Sequence, residues 1–182
     1  MNKKIITLLF VLYSVCSFSQ KYISRNGSVQ FNASTPLETI NPINNYVSSV
    51  FDSENGEIVF QMNMISFKFK KALMETHFNE KYVESEKYPK STFTGKIKDW
   101  NSTLLDGGNH NVTAVGTITI HGIEKEIEVK GSIQKNNKNI TINSDFELII
   151  SDFEIKISKL VRDKISKKVQ VKVNINLKQE EK

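Results

Sequence analysis

The sequence predicts an all-β domain of about eight antiparallel strands with one short helical segment. Three observations carry this. Apolar and polar residues alternate along most of the chain, Gly- and Asn-containing turns separate the alternating runs, and one stretch alone abandons the period.

The clearest strand is the last. Val169, Val171, Val173, Ile175 and Leu177 alternate with Lys168, Gln170, Lys172, Asn174 and Asn176, so one face is dry and the other wet. Ile140, Ile142, Phe146 and Leu148 repeat the pattern, as do Ile127, Val129 and Ile133. Val112, Ala114, Ile118 and Ile120 share a face in a strand over 109–120, and His121-Gly122 turns that strand into the next as a hairpin. Further strands are expected over 27–33 (with Val29 and Phe31), 46–52, 57–69 and 91–97 (with Phe93). Within 57–69 the apolar positions move from even (Ile58, Phe60, Met62, Met64) to odd (Ile65, Phe67, Phe69), which predicts a bulge or bend near Met64. Residues 70–85 have no β-branched run and place Leu73 with His77, and Met74 with Phe78, at i,i+4. A short helix is expected there, stopped by Tyr88-Pro89. Residues 106–109 and 135–138 are loops by composition.

Such strands can be buried as a two-sheet sandwich or as a closed barrel, and periodicity does not choose between them. In a sandwich the dry faces fill each other, whereas a barrel of roughly eight strands can hold one small ligand.

The chain has 182 residues, enough for one domain plus a targeting segment, with 38% apolar and 25% charged residues, a balance that folds. A single cysteine excludes a disulfide scaffold or a thiolate metal site. Lys3 and Lys4 precede the apolar run Ile5 to Val15, which is too short to span a bilayer, and small residues Ser17 and Ser19 follow. A secretory signal over 1–19 is expected, with residues 20–182 as the mature domain, periplasmic or secreted. The competing reading anchors the chain through Cys16, but Val15 stands where a small residue is wanted. Removing Lys3 and Lys4 leaves 25 − 2 = 23 basic against 20 acidic residues, so the formal charge falls from +5 to +3. With basic residues interleaved among acids and apolar residues, no nucleic-acid footprint is present.

Two elements resemble a known family. Leu73-Met74-Glu75-Thr76-His77-Phe78 followed by Tyr88-Pro89-Lys90-Ser91-Thr92-Phe93, and the strand-His-Gly turn from Gly116 to Lys125, resemble the signature of the YceI-like family. Asp152-Phe153-Glu154-Ile155 before the last alternating strand is similar as well, and the resemblance runs from about Tyr22 to Leu177. Glu75 stands where Asp is usual in that family, and Phe78 where Leu is usual. What the resemblance implies is a lipocalin-like barrel holding a long apolar molecule, such as a polyisoprenoid or isoprenoid quinone, in an exported protein.

The candidate lining follows from the dry faces. Phe60, Met62, Met64 and Phe67 form an adaptable apolar cluster suited to a flexible chain. Phe31, Leu73, Phe78, Phe93, Ile118, Ile127 and Val129 join it, with Phe146, Leu148, Val171 and Val173 from the last strands. For each, plain core packing is the competing reading. Of the three histidines, His77 and His121 are expected as structural hydrogen-bonding residues or headgroup contacts, and His110 as loop. The Glu75 and His77 side chains diverge at i,i+2 on a helix, which disfavours a metal or acid-base pair. No Gly-x-Ser-x-Gly elbow occurs. The sequence therefore points to an apolar-lipid carrier with no catalytic residues, metal or cofactor, in transient contact with a membrane. The rival is a structural or partner-binding envelope sandwich with a filled core.

Overall fold

The computed structural model describes residues 20–180. The expected signal segment and its cleavage point lie outside them. Eight strands run in sequence order around one closed antiparallel barrel: β1 (Lys21–Asn32), β2 (Ile43–Asp52), β3 (Glu57–Asn63), β4 (Lys90–Ile97), β5 (Asn109–Ile120), β6 (Ile123–Asn136), β7 (Asn139–Ile149) and β8 (Lys168–Gln179). β8 pairs back onto β1, so the two-sheet sandwich is excluded and the sheet has no free outer strand.

Three expectations are corrected. First, β1 begins six residues earlier than alternation predicts. Its pairing with both neighbours shifts between Ser24 and Ser28, so the inward face passes from Tyr22 and Ser24 to Val29 and Phe31 across an exposed Arg25-Asn26 pair. A bulge inside a strand erases the period that would reveal it. Second, the parity change near Met64 is not a bulge within one long strand. β3 ends at Asn63, a single 3-10 turn (Met64–Ser66) redirects the chain, and Lys68 then bridges Ile43 of β2. Third, the loop expected at 135–138 contracts to two residues, because Asn136 still pairs with Asn139.

The helical segment is present as α1 (Ala72–His77), continued by one wider π turn (Phe78–Tyr82). Lys71 precedes it with no side-chain cap, so its start is fixed from outside. The Lys68 ammonium donates to Glu75 Oε1 at 2.6 Å and the Phe69 amide donates to Glu75 Oε2 at 3.2 Å. These bonds, that of Lys68 first, hold the Glu75 carboxyl below the usual glutamate range. The folded state thus binds fewer protons than the unfolded chain. The resulting stability is present above the ordinary glutamate range and is lost as pH falls through the lowered value. Glu75→Gln is expected to cost at most about 1 kcal/mol at neutral pH, and urea titrations should converge with the parent in acid.

The barrel interior is divided along its axis. Where the β1 start, the β8 end and the β6–β7 hairpin meet, Tyr22, Phe51, Ile133, Ile140, Ile175 and Leu177 are at most 1% exposed and plug the barrel. Trp100 stacks edge-on to Phe51 at 5.2 Å and donates its indole N–H to Ser53 O at 3.1 Å, sealing that end from outside the strands. The other half is not filled.

Candidate functional site

The unfilled half is a cavity of about 530 Å³, within the size range of small-molecule pockets. Alternation builds its walls. From β5, Val112, Ala114, Ile118 and Ile120 face inward, and from β8, Val169, Val171 and Val173 do so. Every residue named above as candidate lining borders this cavity, from Phe31 on β1 to Val173 on β8. Phe60 and Phe93 stack at 6.1 Å across the β3–β4 pair. Phe31, Phe67, Phe69 and Phe78 form a second aromatic group, with ring centroids 5.1 to 6.2 Å apart, between the barrel wall and α1. Residues not anticipated from the sequence complete the enclosure: Ile155, Ile157, Val161 and Ile165 lie on a connecting strap, residues 154–167, that passes over the cavity. The strap is tied down by Ser166 N–H donating to Ala33 O at 2.9 Å and Ile150 N–H donating to Lys167 O at 3.2 Å.

Three charged side chains, Glu38, Lys71 and Lys164, border the cavity. The Lys71 ammonium donates to Glu38 Oε1 at 2.8 Å, joining the β1–β2 connection to the start of α1. That hydrogen bond, assisted by the charges of Lys71 and Lys164, holds the Glu38 carboxyl below its usual range. Lys71, Leu73 and Lys164 are exposed where they border the cavity, which marks this side as its mouth.

The two histidines of interest part company. His121 occupies the left-handed region at φ 53° and Gly122 follows at φ 75°, the two-residue turn geometry that suits the twist of a hairpin. Its Nδ1 donates to Phe153 O at 3.0 Å, Nε2 lies 2.8 Å from Glu84 Oε2, and Tyr88 packs edge-on at 4.6 Å. His121 does not line the cavity. His77 does, half-buried on α1, and no hydrogen bond ties its ring among the described residues. His110 belongs to the second position of β5, where Nε2 lies 2.6 Å from Gly107 O. His121→Ala is therefore expected to cost about 1 to 3 kcal/mol in urea unfolding, by orphaning a carbonyl. His77→Ala should stay within about 0.5 kcal/mol.

The role of His121 follows from a gap in the sheet. The β6–β7 ladder runs only from Gly131↔Ser144 to Asn136↔Asn139, while β5–β6 continues to Ile120↔Ile123 and β7–β8 to Ile149↔Lys168. Beside the cavity the two strands therefore part. Ser144 Oγ, donating to Lys130 O at 2.7 Å, ends the ladder, and the His121–Phe153 bond links the chain segments beyond the gap. Among the described residues no cluster of three His, Cys, Asp or Glu side chains could hold a metal, and no helix is long and apolar enough to cross a membrane.

Comparison with known proteins gives a consistent assignment. The family model of the YceI-like domain matches residues 22–177. No curated protein matches the sequence. Among solved structures, a polyisoprenoid-binding domain from Saccharophagus degradans, implicated in plant cell wall breakdown, superposes with a TM-score of 0.77 at 14% identity, over 89% of this chain and 99% of that one. Burkholderia cenocepacia BcnA gives 0.70 at 16% identity, covering 83% and 95%. The Campylobacter jejuni YCEI protein gives 0.59 at 19% identity, covering 75% and 82%. At such identities these likenesses establish the fold.

Proposed function

The chain belongs to the YceI-like family, and on that premise we propose that it carries an apolar lipid, with the tail held in the half-filled barrel and no chemistry performed on it. The observation that carries this reading is the cavity: a barrel plugged at one end and lined elsewhere by Phe, Met, Ile and Val. A core built only for stability is close-packed, and its voids are small. The name of the Saccharophagus degradans neighbour supports a polyisoprenoid as the ligand class. Magnitudes favour a carrier. At ~0.8 kcal/mol per buried CH₂, exposing a tail of about forty carbons to water costs on the order of 30 kcal/mol. Transfer between two apolar environments, a bilayer and this cavity, is nearly balanced, so pickup and release during brief membrane contact need no energy source.

In this reading His77, which borders the cavity, contacts the headgroup, and His121, bonded to Phe153 O, holds the turn. We infer further that residues 1–19 direct export and are removed, so the carrier works in the periplasm or outside the cell. N-terminal sequencing of the exported protein should begin at Gln20, whereas a lipid-modified Cys16 would make it a tethered carrier. Native mass spectrometry of the purified protein tests the main reading: a co-purifying apolar mass is expected, lost on organic extraction and regained from added polyprenol. A protein that neither carries nor takes up any apolar molecule would end this reading.

A further inference from the structure

The cavity rim carries solvent-exposed apolar side chains. Leu160, on the strap, is 93% exposed, the most exposed large apolar side chain of the described barrel. Leu37, in the turn beside Glu38, is 67% exposed, and Leu73 on α1 is 66% exposed. Single exposed leucines are ordinary. These three differ because their elements border one opening: Glu38, Lys71, Leu73 and Lys164 all line the cavity, and the Glu38–Lys71 pair joins two of the elements directly.

The charge on the strap is one-sided. Residues 154–167 hold five cations (Lys156, Lys159, Arg162, Lys164, Lys167) against Glu154 and Asp163, a formal surplus of 5 − 2 = +3. The strap turns Ile155, Ile157, Val161 and Ile165 toward the cavity while Lys156, Lys159, Arg162 and Lys164 are exposed. Leu160 alone breaks that division, lying on the wet side between Lys159 and Arg162. A lone aliphatic tip among outward cations matches an interface whose surface is anionic and whose interior is apolar.

We propose that this rim is a docking surface for an anionic lipid bilayer, with Leu37, Leu73 and Leu160 entering the acyl boundary and Lys159 and Arg162 meeting the phosphate headgroups. The proposal rests on the carrier reading for its purpose, since docking sets the mouth against the phase from which an apolar tail comes. It is tested separately from that reading.

The test uses the chain beginning at Gln20, which contains every strand of the barrel and its whole described core. Flotation is measured with phosphatidylcholine vesicles, with and without about a third phosphatidylglycerol, alongside uptake of a prenol delivered in detergent. Binding to the anionic vesicles is expected. Leu37→Ser with Leu160→Ser should lower partitioning about tenfold or more. Lys159→Glu with Arg162→Glu should lower it by at least about twentyfold, from about fivefold per basic residue at an anionic surface. Arg25→Glu with Lys96→Glu, the same change of net charge on exposed positions of β1 and β4, should leave it within about twofold. Prenol uptake in detergent should persist in all three. Equal losses in the rim and control pairs, or no preference for anionic vesicles, would overturn the proposal while leaving the carrier reading to the uptake arm. So would light scattering that shows a dimer which Leu37→Ser with Leu160→Ser converts to monomer, because the leucines would then cover a second copy.

Discussion

Gly116→Val is expected to cost about 3 kcal/mol or more of unfolding free energy, the range of backbone-level clashes rather than ordinary surface changes. Gly116 of β5 pairs directly with Gly95 of β4. A Cβ at Gly116 would lie 2.3 Å from Thr94 O and 2.5 Å from Gly95 Cα, and one at Gly95 would lie 2.4 Å from Val115 O and 2.7 Å from Phe93 Cζ. Backbone atoms cannot rotate away, so the strands themselves must separate. Both glycines stand on the inward face, and the empty volume at Gly95 admits the Phe93 ring, which stacks on Phe60 in the cavity wall. The close approach thus shapes the cavity as well as the sheet. Thr117→Val, one residue along and facing outward toward Glu126, should change stability by less than about 1 kcal/mol. Urea melts of the two variants at pH 7 measure the contrast. A Gly116→Val protein that unfolds like its parent would show that β4 and β5 can part without loss.

The strands legible in the sequence are those whose side-chain period is uninterrupted. β5, from Asn109 to Ile120, and β8, around Val169 to Leu177, alternate cleanly because nothing in them departs from a regular ladder. The start of β1 was hidden by its own bulge, and the end of β3 by a 3-10 turn whose apolar residues mimic a continuing strand. Alternation also could not separate wall from plug. Ile127 and Val129 border the cavity while Ile133, on the same face of the same strand, is fully buried in the plug, and all three read alike as inward apolar residues. The rim was illegible for a different reason. Glu38, Lys71 and Lys164 are far apart in the chain and meet only because the β1–β2 connection, α1 and the strap converge on one opening. The strap itself offers no single period: Ile155, Ile157, Val161 and Ile165 are spaced by two, four and four residues, which matches neither a strand nor a helix throughout.

Val171 is the position at which cavity and core give opposite results. It faces inward from β8, is 8% exposed, lines the cavity, and pairs with Phe31 on one side and Phe146 on the other. In a filled interior, Val171→Phe would overpack and cost about 1 to 3 kcal/mol. Here the added ring has an apolar void to enter, so thermal melting and circular dichroism should match the parent to within about 1 kcal/mol. The ring then occupies space the tail would use, and prenol uptake should fall tenfold or more, about 1.4 kcal/mol of lost binding. Val171→Glu reaches the same end by another route: a carboxylate set among Phe31 and Phe146 stays charged only by admitting water, at a cost of several kcal/mol to the fold or to the seating of any apolar ligand. Lys172→Glu, one residue along and facing solvent beside Asp145, should leave uptake unchanged. The decisive measurement is stability and uptake on the same Val171→Phe sample. Parental stability with uptake lost assigns the void to the ligand, and a destabilised protein with uptake intact would place the ligand elsewhere.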